Sequence, residues 1–185
     1  MKAAGAGVLV FPAAGWMRVG PQNEAEVPEI IMVRNYRIGR FYFDPIGLHI
    51  EAGTTVRWTC RANGLSALAF HPDHDNHELR IPEGARPFDS GVLWRGDTFE
   101  WTFEVEGTYD YYSRNQEVIG MVGRIVVGSA GGHGENPLGY GAREGRTPPF
   151  RELMRTHQVI NSQEIVQKSA VPYPADLLGR KPPLH

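Results

Sequence analysis

The chain has 185 residues, with 19 basic and 21 acidic side chains, and its net charge of -2 excludes the dense basic footprint of a nucleic-acid binder. Hydrophobic residues make up 41% and charged residues 22%, the balance of a globular protein whose length holds one domain with residues to spare. The 22 glycines and 14 prolines favour turns and extended segments over helix, and the single cysteine, Cys60, excludes an intrachain disulfide.

In chain order, residues 1–28 come first, an apolar run, MKAAGAGVLVFPAAGWM, followed by a polar linker. The run is short and broken by glycines and Pro12, which argues against a membrane span. A signal-like anchor, or a segment buried in a partner, is the expected role, with Val8, Leu9, Val10 and Phe11 as contact residues and membrane contact open to it. Residues 29–128 are dense in strand signals: IIMVRNYRI, FYF, LHIEAG, TTVRWTC, LSALAF, DTFEWTF, TYDYYS and GMVGRIVVG, rich in β-branched and aromatic residues and punctuated by Gly, Pro, Asn and Asp. In FEWTF, Phe99, Trp101 and Phe103 fall on one face and Glu100 and Thr102 on the other, as in a sheet with one side on a core. Cys60 alternates with Trp58 and Val56 and is expected to be a buried, inert thiol. Short strands at this density predict an all-β sandwich or barrel. Residues 129–185 form a Gly/Pro-rich, mildly basic tail whose stretch FRELMRTHQVINSQEIVQKS has room for two short helical turns, with Phe150, Leu153, Met154 and His157 on one face.

The β zone resembles the cupredoxins, the small copper proteins of plastocyanin and halocyanin type, over about Tyr42 to Val127. The resemblance is carried in order by FDPIGLHIEAGTTVRWTC, FDSGVLWRGDTFEWTFEVEGTYDYY and GMVGRIVVG. It implies a Greek-key β-sandwich with extended N-terminal and C-terminal segments. It also implies a metal site of two histidines and a cysteine thiolate, with a distant methionine as weak axial ligand. In that pattern the closing hairpin runs Tyr-Cys, two residues, His, four residues, Met. Here the same frame gives Tyr112, Ser113 in place of Cys, Gln116 in place of His, and Met121. The upstream histidine falls at Leu65, or at Ser66 if the alignment shifts by one. Three of four ligands are therefore replaced, and Met121 is as well explained by packing. No metal and no other cofactor is expected at these positions.

A second metal possibility is HPDHDNH, where His71, His74 and His77 recur at spacings of three; imidazoles so spaced converge if the loop turns helically. A solvated turn is the simpler reading. There is no nucleophile elbow, phosphate loop or His-Glu-x-x-His motif. Asp110 and Glu117 are expected on exposed strand faces, while Tyr109, Tyr111 and Tyr112 are expected to fill the sandwich. The chain is thus expected to be no enzyme but a copper-free accessory subunit of a larger membrane-bound assembly, held through Val8 to Phe11 and through Phe150, Leu153 and Met154. The resemblance places that assembly in electron transport, a photosynthetic reaction centre or a respiratory complex, on the periplasmic, outer face of the cytoplasmic membrane. The alternative is a soluble periplasmic metal-binding module using the three histidines.

Overall fold

The computed structural model describes residues 26–75, 77–136 and 161–175. Each predicted strand stretch contributes a strand: β1 (Glu29–Asn35), β2 (Arg40–Asp44), β3 (Gly47–Ile50), β4 (Thr54–Cys60), β5 (Leu68–Ala69), β6 (Thr98–Phe103), β7 (Gly107–Tyr112) and β8 (Val122–Val127). Helix α1 (Ser162–Lys168) and strand β9 (Ala170–Val171) follow in the tail. Two sheets form, in the orders β2-β1-β4-β6 and β5-β7-β8-β3-β9. The architecture is the expected all-β cupredoxin-like sandwich.

Alternation explains the core. Val56, Trp58 and Cys60 of β4 point inward at full burial, while Thr55 and Arg57 face out. They meet Ile30 and Met32 from β1, Phe43 from β2, Phe103 from β6, and Tyr109 and Tyr111 from the facing sheet. Trp58 sits at the centre, with Phe88, Phe99 and Tyr111 ring centroids 5.4, 5.5 and 5.7 Å away. Aromatic pairs at these spacings add to the burial of large apolar surfaces. Cys60 is buried, and its thiol donates to the Ala62 carbonyl; burial pushes its pKa up, which suits an inert packing role.

The second sheet differs from a half-wet one. All six residues of β7 are buried, on both faces. Two patches cover its outer face. Leu68, Phe70, Tyr112 and Val122 form one, against which His77 packs at 4.6 Å from the Tyr112 ring. Ile46, Val126, Ile165, Val171 and Tyr173 form another, with Tyr42 stacked on Tyr173 at 4.2 Å. The sequence reading ends the β zone at residue 128; this five-stranded sheet takes its edge strand from beyond it, with β9 antiparallel to β3.

Between these patches lies a buried ion network, and here the expectation for Asp110 is corrected. Asp110 is only 2% exposed. Its carboxylate accepts from Arg80 Nε at 2.7 Å and from Arg124 Nε and Nη2 at 2.7 and 3.0 Å. The Gly134 carbonyl accepts from both arginines, at 2.8 and 3.0 Å. Arg124 also donates to Ser162 Oγ at 3.0 Å, and Ser162 and Thr108 both donate to Glu135. The network ties β7, β8, the turn at His133–Glu135 and the start of α1 together. Burial alone would raise the Asp110 pKa; the two guanidinium charges outweigh it and hold the carboxyl below the usual range.

Candidate functional site

The four positions of the copper-ligand frame, three of them with the ligand replaced, come together at one end of the sandwich. β7 ends at Tyr112, and Ser113 opens a tight loop. Ser113 N donates to the Met121 carbonyl at 3.0 Å, while the Ser113 carbonyl accepts from Gln116 N at 3.0 Å and Glu117 N at 2.7 Å. A single 3-10 turn, Glu117–Ile119, follows and closes at Gly120, whose φ of 92° is left-handed and suits glycine. Met121 N then returns to the Gln116 carbonyl at 3.0 Å. Leu65 arrives from the other direction, paired with Leu93 through Leu93 N to the Leu65 carbonyl at 2.7 Å. Leu65, Ser113 and Met121 are all fully buried.

Side chains close the site with hydrogen bonds of their own. Ser66 N donates to Ser113 Oγ at 3.0 Å, Ser113 Oγ donates to Gln116 Oε1 at 2.6 Å, and Gln116 Nε2 donates to the Gly64 carbonyl at 3.2 Å. The Ser66 hydroxyl accepts from Arg114 N at 2.9 Å. The interior positions are thus apolar, and the polar ones already have partners. These polar groups are oriented by their protein partners, and neutral hydroxyl and carboxamide oxygens replace neither a thiolate nor an imidazole as donors to copper.

Around this loop, Asp75 receives Tyr112 Oη at 2.9 Å and Arg114 Nε at 2.8 Å, and Arg114 also reaches Asp89 at 3.3 Å. Burial works against ionisation of Asp75, but Arg114 and Tyr112 together hold its carboxyl below the usual range. Burial, then the neighbouring Asp75 carboxylate, pushes the Tyr112 hydroxyl well above its usual range. Glu117 pairs with His77 at 3.2 Å and its side chain is only 15% exposed, so it too departs from the expected solvated strand face.

The three loop histidines lie on successive turns but take separate partners. His71 Nδ1 accepts from Asp73 N at 3.2 Å, His74 Nδ1 lies 3.0 Å from the Ala69 carbonyl, and His77 Nε2 faces Glu117. The His71 and His74 ring centroids are 6.3 Å apart. Among the described residues, no group of three or more His, Cys, Asp or Glu side chains is placed to hold a metal ion. The partner-contact candidates Val8, Leu9, Val10, Phe11, Phe150, Leu153 and Met154 lie outside the described residues.

The family signature described as copper binding proteins, plastocyanin/azurin family, matches residues 31–128, just over half of the chain. The chain belongs to this family. A halocyanin of Natronomonas pharaonis is 29% identical over 106 residues, which cover 57% of this chain and 60% of that protein. A chloroplastic plastocyanin of Hordeum vulgare is 28% identical over 126 residues, covering 68% of this chain and 76% of its own. Among solved structures, pseudoazurin from Methylobacterium extorquens AM1 superposes with a TM-score of 0.51 at 18% identity, covering 71% of this chain and 94% of that one. Likeness at that identity shows the shared fold.

As a plastocyanin/azurin family member, the chain departs from the name of its family at the site itself. Copper of this type needs a thiolate and two imidazoles. Leu65 has no donor atom, the Ser113 hydroxyl is not ionised near neutral pH, and the Gln116 carboxamide is spent on Ser113 and Gly64. These residues do not fit copper. The shifted alternative fares no better, since the Ser66 hydroxyl is committed to Arg114 N. Sequence reasoning missed the buried partners of Asp110 and Glu117, which lie far away in the chain and leave no local signal.

Proposed function

We propose that this chain is a copper-free member of the plastocyanin/azurin family that works as a non-catalytic accessory subunit, docking on and stabilising a larger membrane-bound electron-transport assembly. The observation that carries the reading is the closed site: a family sandwich kept whole around ligand positions sealed by apolar packing and the Ser66–Ser113–Gln116–Gly64 hydrogen-bond chain. A fold retained without the donors of its metal keeps surface and shape as its usable properties. The family relationship supports an electron-transport partner, a photosynthetic reaction centre or a respiratory complex, on the outer, periplasmic face of the cytoplasmic membrane. The N-terminal and C-terminal extensions, through Val8 to Phe11 and Phe150, Leu153 and Met154, remain the proposed tethers.

The test is the native mass of this protein in a mild-detergent extract of membranes from its source. Migration with a large pigmented or haem-containing complex supports the reading and names the partner. Migration at the mass of the free chain overturns it.

A further inference from the structure

We propose that the outer edge of β6, with the cleft at its C-terminal end, is a strand-addition site. It takes an extended segment of the partner assembly along which apolar and basic residues alternate. The inference rests on the accessory-subunit reading and names the chemistry of one contact.

β6 is the outermost strand of its sheet, with β4 as its neighbour. Cys60 N donates to the Asp97 carbonyl at 2.9 Å, and from there the antiparallel register sets Trp58 opposite Phe99 and Val56 opposite Trp101. Hydrogen-bonded and unbonded pairs alternate in such a ladder. Phe99 and Trp101 therefore turn their backbone groups to β4, while Thr98, Glu100 and Thr102 turn theirs away from the sheet. These three residues are exposed, and no backbone partner meets their outward N–H and C=O groups among the described residues.

A row of unpaired groups on an edge is a template for one more strand, and folds usually blunt it. The other three edges are blunted. β5 and β9 have two residues each, and on β2 Tyr173 stacks over Tyr42 at 4.2 Å and donates its amide to Asp44 at 3.0 Å. β6 keeps six residues, TFEWTF, with no proline or lysine to discourage pairing. Its one charge, Glu100, is answered by Arg57 of β4 at 2.7 Å, and the Thr102 hydroxyl meets that of Thr55 at 2.7 Å. An edge braced in this way loses little freedom on pairing.

A cleft of about 60 Å³ opens at the C-terminal end of the strand, between Gly84, Ala85 and Arg86 on one side and Trp101 to Val105 on the other. Val105 is exposed, and the Arg86 guanidinium lies 5.2 Å over the half-buried Trp101 ring. An added strand sends every second side chain to this side, where apolar residues fit. Charge selects the other row. Glu51, Glu83, Glu104 and Glu106 are exposed, and none has an ion pair among the described residues. The turn after Glu51 meets β6 through Gly53 N to the Phe103 carbonyl at 2.7 Å. Pro82, beside Glu83, closes on Gly107, where a Cβ would stand 2.6 Å from the proline Cγ. The four carboxylates thus gather at one end of the strand, and a segment carrying Lys or Arg on its solvent row is steered to it. The same charge repels an anionic bilayer.

The experiment adds the full chain, wild type or variant, to the detergent-solubilised membrane fraction of its source lacking the endogenous copy. It measures retention in the high-mass complex across a salt series, and amide hydrogen exchange residue by residue in the free and the retained chain. On retention the Glu100 and Thr102 amides are expected to slow at least about tenfold, while those of Phe99 and Trp101, already bonded to β4, change little. Burial of the face without an added strand gives no such alternation. Thr102→Pro removes one outward N–H and no backbone bond to β4, and Glu83→Lys with Glu104→Lys reverses the charge. Each is expected to lower retention at least about tenfold, the charge pair also flattening the salt dependence; a cooperative melt verifies folding. If Thr102→Pro does not fold, the charge pair and the exchange pattern decide. Wild-type retention with fast Glu100 and Thr102 amides, and with the variants bound within twofold, overturns the strand site and leaves the accessory-subunit reading standing. No retention of the wild type overturns both. Slow Glu100 and Thr102 amides in the free, monomeric chain overturn the site in favour of a segment of the chain's own. A dimer of the purified chain in sedimentation, dispersed by Thr102→Pro, overturns it in favour of a second copy.

Discussion

Ser113 shows what one atom decides at the residue scale. A thiolate there would demand a cation; the hydroxyl instead links Ser66 to Gln116. Ser113→Ala leaves the buried Ser66 amide and the part-buried Gln116 carboxamide oxygen without this partner, and should destabilise the fold by roughly 1–3 kcal/mol in a denaturant titration. Restoring the donors tests the frame from the other side. The triple variant Leu65→His, Ser113→Cys, Gln116→His is expected to develop an intense visible thiolate-to-copper band on adding Cu(II), and the wild type none. If the triple variant stays colourless while a set using Ser66→His colours, the upstream ligand position belongs to Ser66. Asp110 makes the complementary case. Its pKa is depressed in the folded state, so its contribution to stability is present above the ordinary carboxylate value of about 4 and is lost as pH falls below it. Asp110→Asn leaves Arg80 and Arg124 buried without their shared counter-charge, and should cost roughly 3–5 kcal/mol at neutral pH. It should also flatten the acid limb of the stability-pH profile.

The informative elements are α1 and β9. Asn161 caps α1 by accepting from Gln163 N at 2.7 Å, and Ile165 is the one fully buried apolar side chain the helix offers. Seven residues of helix and two of strand are too short to hold themselves; they persist because Ile165, Val171 and Tyr173 fill a patch on β3 and β8 and because Ser162 joins the ion network. A chain ended after Asn136 uncovers Ile46 and Val126. At roughly 1.5–3 kcal/mol per large buried side chain, it should lose on the order of 5 kcal/mol, read as a lowered thermal midpoint. A tail that only reached outward to a partner would leave that midpoint unchanged. Gly134 is a smaller instance of the same closeness: a Cβ there would stand 2.4 Å from the Thr108 carbonyl oxygen. Gly134→Ala should therefore cost about 1–3 kcal/mol and loosen the turn at His133–Glu135, seen as faster amide exchange at Glu135 and Asn136.

Across the whole molecule, the sandwich is closed on more sides than its alternation suggests, and its tyrosines report this. Burial pushes Tyr109 up to about 12, and Tyr111 and Tyr112 higher still. These groups favour the folded state while neutral. Their contribution is fully present below the ordinary tyrosine value of about 10 and declines as pH rises through the folded values. An absorbance titration should show these three silent until the alkaline unfolding transition, at which all three ionise together. Early ionisation of any of them would mean that its side of the sandwich opens to water.

The sequence by itself determined the strands and the lost site. Inward and outward residues alternate within each strand, so TTVRWTC and FEWTF declare their faces locally, and the hairpin spacing places Ser113, Gln116 and Met121 without any coordinates. Only the tertiary structure decided what covers the outer face of the second sheet. Asp110 alternates with core residues and so looks solvent-facing, but Arg80 and Arg124 reach it from 30 and 14 residues away, and Ser162 of the tail holds Arg124 in turn. Likewise, the hydrogen-bond chain from Ser66 through Ser113 and Gln116 to Gly64 belongs to no single stretch. Periodicity is a local property of the backbone; the partners of a charge and the gathering of a patch depend on where distant segments meet.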